Sequence, residues 1–195
     1  MNIARGRTLA AVAGYGWIVA LALVSTGCRF VPEIPYVYPL PPAALARLVD
    51  DKGQAVGSAV FSQERGGGVR ILVEVVGLAP GDHAVHIHEV GRCEPPAFES
   101  AGAHFNPTKA EHGTANPSGP HAGDLPDVTV NTEGKGHMEV TAKRVTLDKK
   151  SAASLLDADG SAIVIHERAD DKRTDPAGNS GSRIACGVIA GEGKR

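Results

Sequence analysis

The chain has 195 residues, 42% hydrophobic but only 4% aromatic, with 24 glycines, 13 prolines and a formal net charge of −2. That length predicts one globular domain plus a short appendage, and so many glycines and prolines disfavour a helical bundle. So small a net charge argues against a nucleic acid as partner.

Residues 1–27 read as an export signal. Arg5 and Arg7 form a positive start, and Thr8 to Val24 is an apolar run without charge, barely long enough to cross a membrane as a helix. The run ends in Ser25-Thr26-Gly27-Cys28, which resembles a bacterial lipoprotein signal cut before its cysteine, although Ser25 stands where that signal usually has a large aliphatic residue. Lipid attachment at Cys28 is therefore expected, with a retained anchor or a plain secretory signal as alternatives. Arg29 is not the aspartate expected of an inner-membrane signal. The expected location is the bacterial cell envelope, periplasmic or surface-facing, with the outer membrane favoured. Removing 1–27 leaves 18 basic against 22 acidic residues, a mildly acidic domain. Residues 28–42 are proline-rich and carry Phe30, Tyr36 and Tyr38. They read as an extended, semi-rigid tether, or alternatively as an arm packed on the domain.

The domain is expected over 43–191, with a short tail at 192–195. Ala46 to Val49, Ala55 to Ser62 and Val69 to Val76 are strand candidates, separated by the turn signals Asp51-Lys52-Gly53 and Gly66-Gly67-Gly68. From Val69 to Val75 the odd positions are apolar while Arg70 and Glu74 share the other face, so one face lies in a core. Further strands are predicted at Ala84 to His88, Val128 to Val130, His137 to Val145, Ala162 to His166 and Ile184 to Ala190. Ser151 to Leu156 reads as one helical turn. Eight strands without a long helix predict an all-β Greek-key sandwich or barrel.

Between His83 and Asp124 lie six of the eight histidines. His86-Ile87-His88 sits within a strand, so both imidazoles point to one face and can reach one ion. His104, His112, His121 and Asp124 follow at spacings of 8, 9 and 3, too irregular for one face of a helix or strand. A long loop without apolar periodicity is either disordered or tied down, and ligand-type side chains along it suggest that a metal ties it. His166 ends the strand Ile163-Val164-Ile165-His166 and can join His86 and His88. Seven side chains fill the eight positions of two four-coordinate ions only if one is shared, as an imidazole can be through its two nitrogens. An all-nitrogen set suits copper, and a tetrahedral set with a carboxylate suits zinc. With Cys28 set aside, Cys93 and Cys186 remain. In an oxidising compartment they should pair, with metal ligation as the rival reading.

The segments Gly81-Asp82-His83-Ala84-Val85-His86-Ile87-His88-Glu89, Ala103-His104-Phe105-Asn106-Pro107, His112-Gly113, Pro120-His121-Ala122-Gly123-Asp124-Leu125 and Gly178 to Ile189 together resemble the copper/zinc superoxide dismutase family. The resemblance runs from Leu45 to Ile189. It implies a superoxide dismutase that turns superoxide into oxygen and hydrogen peroxide, with copper on His86, His88, His104 and His166. Zinc would take His104, His112, His121 and Asp124, with His104 as the bridge. Arg183 matches the arginine that draws in the anion, Asp170 the aspartate that holds one copper and one zinc ligand, and Cys93 and Cys186 the family disulfide. His83 matches a structural hydrogen-bonder, and His137 is expected to be exposed. Ala84-Val85 stands where the family commonly has Gly-Phe, and only sixteen positions separate Glu167 from Arg183, so the charged loop between them transfers only at Asp170 and Arg183. A homodimer is allowed but marked by no local motif. The alternative function is an envelope copper/zinc-binding module without dismutase activity.

Overall fold

The computed structural model describes residues 43–191; the expected signal, Cys28, the tether and the tail lie outside the described residues. Ten strands follow one another: β1 (Ala43–Asp50), β2 (Ala55–Gln63), β3 (Val69–Val76), β4 (Gly81–His83), β5 (Val85–His88), β6 (Val128–Val130), β7 (Lys135–Ala142), β8 (Ala162–His166), β9 (Arg183–Val188) and β10 (Ala190–Gly191). They form one sheet in the order β4-β6-β7-β3-β2-β1-β9-β8-β5, with β10 also pairing β1. The strands at the two ends of that order, β4 and β5, are separated in the chain by Ala84 alone. The sheet therefore curls round into a nearly closed β-barrel, which removes most of its free edge.

Alternation fills the barrel. Val69, Ile71, Val73 and Val75 of β3 point inward while Arg70 and Glu74 point out, and they pack with Leu48, Phe61, Ile87, Ile163 and Ile165 in the main core. β5 and β8 are buried on both faces. Their inner face (Val85, Ile87, Ile163, Ile165) belongs to that core, whereas Ala162 and Val164 on the outer face pack with Phe98, Ala101 and Cys186. Two long loops, 89–127 and 167–182, cover the outer face, and His86, His88 and His166 are buried beneath them.

The structure departs from the sequence reading in five places. The first strand spans Ala43–Asp50, longer than expected, and the strand expected at His137 to Val145 runs Lys135–Ala142, starting directly after its turn. β4 was not anticipated, because Gly-Asp-His carries no alternation; it forms by pairing with β6. The residues near the end of β9 split into a separate short strand. At 151–156 there are turns, not a helical turn. There the Ser151 and Ser154 hydroxyls accept the backbone N–H groups of Ala153 and Leu156, and Ser154 bridges to Thr146. Local side-chain acceptors compete with helical hydrogen bonds.

Candidate metal centre

β5 lies antiparallel to β8, with His86 opposite Val164 and His88 opposite Ala162. His86 and His88 share the outer face with His166, which follows a register shift after Ile165. The loop 89–127 returns along β5. Ile87 N–H donates to Gly123 O at 2.9 Å and Ile87 O accepts Phe105 N–H at 2.8 Å, which sets His104 opposite His88 and Asp124 opposite His86. A side chain at Gly123 would overlap Ile87 O. Phe105, Ala122 and Leu125 sink into the main core, so apolar anchors order the loop between its polar residues.

Four ring nitrogens converge at the centre. His86 Nδ1, His88 Nε2, His104 Nε2 and His166 Nε2 are buried without a hydrogen-bond partner, and these four residues offer ligand atoms within 4.8 Å of one another. Among the described residues only two other buried side-chain atoms, the hydroxyls of Ser161 and Ser180, lack a partner. A buried imidazole nitrogen left unpaired is costly, so four in one place fit a missing common partner. The opposite nitrogens of three of these rings are occupied: His86 Nε2 faces Asp170 Oδ2 at 3.1 Å, His88 Nδ1 faces Gly102 O at 3.0 Å, and His166 Nδ1 faces Gly181 O at 3.3 Å. Protons held on that side leave the inward lone pairs free for a cation.

The fourth ring, His104, turns its Nδ1 to a second group. Asp124 Oδ1 lies 3.1 Å from His104 Nδ1, 3.1 Å from His112 Nδ1 and 3.3 Å from His121 Nδ1, and the Nδ1 atoms of His104 and His121 are 3.3 Å apart. Metal–ligand bonds of about 2.0 to 2.1 Å in a tetrahedron separate the ligand atoms by about 3.3 Å, so these separations fit the edges around one ion. Asp124 Oδ2 meanwhile accepts the backbone N–H groups of Gly113 and His121. His86 also comes within 4.8 Å of His104, His112 and Asp124, but its Nε2 is taken by Asp170. Asp170 joins the two groups, because its Oδ1 faces His112 Nε2 at 3.0 Å.

Charge divides the groups. Burial, reinforced by neighbouring imidazoles, pushes His88 down to about 2 and His166 to about 3; burial also takes His104 down to about 4 against the pull of Asp124. These rings are neutral near pH 7. Burial lowers His112 too, but hydrogen bonds with Asp124 and Asp170 outweigh it and raise the ring to about 9. Burial raises both carboxyls, yet the imidazoles facing them hold Asp124 and Asp170 well below the usual carboxylate range.

Arg183 opens β9, half-buried beside the first group. Its Nη1 donates to Phe98 O at 2.6 Å and its Nη2 to Gly102 O at 2.7 Å. Gly102 O thus holds both Arg183 and His88. The segment carrying those carbonyls is bound to β9 by the disulfide Cys93–Cys186. His83 is buried, its nitrogens facing the carbonyls of His166 and Ala79 at 2.8 Å, while His137 is exposed. A cleft of about 730 Å³ flanks Arg183, but no histidine lines it. Sequence reasoning missed Asp127, which accepts the Asp170 N–H, and Asp175, which accepts the His112 N–H; neither stands in a recognisable motif.

Residues 55–189 match the family model described as copper/zinc superoxide dismutase (SODC). The chain belongs to the copper/zinc superoxide dismutase family. It is 47% identical over 145 residues to superoxide dismutase (Cu-Zn) 1 of Aquifex aeolicus, covering 74% of this chain and 85% of that protein. It is 45% identical over 150 residues to the superoxide dismutase-like protein YojM of Bacillus subtilis, covering 76% of each. The crystal structure of a double mutant of a SOD-like protein from Bacillus subtilis, with a tyrosine and a proline each replaced by histidine, matches with a TM-score of 0.73 at 46% identity, covering 75% of this chain and 96% of that one. Copper/zinc superoxide dismutases are oxidoreductases whose cofactors are copper and zinc, and both donor groups described above are of the right chemistry for those ions.

Proposed function

We propose that this protein is a superoxide dismutase that binds copper through His86, His88, His104 and His166 and zinc through His104, His112, His121 and Asp124. The observation that carries this reading is the convergence of four buried, partnerless ring nitrogens, one of them on a ring whose other nitrogen faces the Asp124 group. Bound copper supplies the one-electron oxidation and reduction by which two superoxide anions and two protons become oxygen and hydrogen peroxide, and bound zinc organises the loop. His104 is the shared ring. Its Nε2, which has no hydrogen-bond partner, would face copper and would be the atom to hold a proton for the peroxide, while its Nδ1 faces the Asp124 group. Asp170 keeps His86 and His112 oriented through their outer nitrogens. Arg183 supplies a fixed positive charge for the anion. Because the domain as a whole is mildly acidic, that attraction is local.

A metal-holding module without dismutase activity is the second reading, favoured by the name of the Bacillus subtilis relative, which is only superoxide dismutase-like. Against it stand the complete set of four nitrogens and the seated arginine. Reconstitution with copper and zinc, followed by metal analysis and superoxide decay, decides between the two. One copper and one zinc per chain with fast decay supports the enzyme, and full metal content without decay supports the module. The proposal extends to the envelope, with Cys28 lipidated and 28–42 as tether; Cys28→Ala should then move the protein from the membrane to the soluble fraction.

A further inference from the structure

Each proposed metal ligand has a second ring nitrogen that needs an acceptor, and the acceptors can be assigned one by one. His86 and His112 have the two oxygens of Asp170, His88 has Gly102 O and His166 has Gly181 O, all within 3.3 Å. His104 uses both nitrogens on the metal groups. His121 is left, and its Nε2 faces Asp175 Oδ1 at 3.7 Å. The same oxygen accepts the backbone N–H of His112 at 2.7 Å. One carboxylate oxygen therefore holds His112 by a hydrogen bond and places its charge beside His121, the two loop residues that bring imidazoles to Asp124.

Asp175 is also held where it is. Asp171 Oδ1 accepts the N–H groups of Arg173 and Thr174, and Asp171 Oδ2 accepts the Asn179 amide. Lys172 O accepts Ala115 N–H at 2.9 Å. The approach of the two loops depends on glycine: a side chain at Gly113 would overlap Lys172 O, one at Gly178 would overlap His112 Nε2 as well as Asp170 Oδ1, and both positions have positive φ.

We propose that Asp175 is a positioning residue for the zinc ligands, fixing His112 through its backbone N–H and setting its negative charge beside His121 Nε2, so that residues 171–179 clamp the loop-borne half of the site. This rests on the zinc assignment proposed above. Losing such an outer partner lowers metal affinity by about 10- to 100-fold, and because the Asp175 side chain is 53% exposed the lower end applies.

The test is zinc titration of the metal-free protein against a competing chelator, with copper titrated in parallel. Asp175→Ala should bind zinc about tenfold more weakly and copper as the unaltered chain does. Asp175→Asn keeps the acceptor for His112 N–H and should recover most of the zinc affinity. Equal zinc affinity in Asp175→Ala, or an equal fall for zinc and copper, overturns the role of Asp175. An unaltered chain that takes up copper but no zinc overturns instead the ligand assignment on which that role rests.

Discussion

The proposed ligands on β5 and β8 and those on the loop 103–124 are held by different means. His86, His88 and His166 stand on paired strands whose inner faces are main core, and burial keeps His88 and His166 neutral at pH 7. His112, His121 and Asp124 are held largely by one another, by two backbone N–H groups and by Asp170 and Asp175, and they include an imidazole raised to about 9 between two carboxylates. The first half is placed by packing and is ready for a cation. The second is a charged network that a zinc ion would replace proton for metal. His104 belongs to both.

The sharpest way to break this comparison is Asp124→Ala. It should weaken zinc binding by at least about 100-fold while copper affinity falls by less than about tenfold. Equal losses, measured by chelator competition, would mean that the halves are not separable. Next comes the covalent tie. Replacing Cys93 and Cys186 by serine opens a closure across 93 residues and should lower stability by about 4 to 5 kcal/mol in the chain-entropy model. Hydrogen exchange should then rise more in 89–127 than in β5 and β8, and a uniform rise would contradict the division. Arg183→Ala at full copper occupancy should slow turnover by about tenfold and flatten its dependence on ionic strength. An unchanged salt slope would remove the guiding role given to Arg183.

The smallest effect is a proton count. At pH 7 His112 should give up about one proton when zinc binds, and His104, neutral already, should give up its remaining ring proton once both metals share it, whereas His88 and His166 release none. Calorimetry in buffers of different ionisation heat reads the difference. The same shifts set the stability of the metal-free protein against pH. His112 contributes fully below about 6.5, its unfolded value, and that contribution is lost as the pH rises through about 9. His88, His104 and His166 act oppositely: the unfolded chain takes up their protons first, so stability falls as the pH drops below about 6.5. The low-lying Asp124 and Asp170 add a further loss at more acid pH.

Much of this site was legible because its donors are rare side chains in rigid contexts. An H-x-H within an apolar alternation fixes two rings on one face whatever surrounds it, and the irregular loop needs an explanation that its own histidines supply. What the chain hid was the outer support. Asp127 and Asp175 are ordinary acidic residues in a charged, glycine-rich neighbourhood, and their partners are backbone N–H groups brought near only by the folded loops. The miss at 151–156 has the same origin: serine hydroxyls turned a helix-compatible stretch into turns. β4 exists only through its partner strand, so three residues without alternation could not announce it.

The most direct test of the account is a crystal of the copper- and zinc-loaded protein in the oxidised state, with anomalous data collected at both metal edges. Copper is expected within about 2.0 to 2.1 Å of His104 Nε2 and zinc at about the same distance from His104 Nδ1. Copper and zinc bound with His104 attached to one of them alone, or one metal occupying both positions with no shared ring, would contradict it.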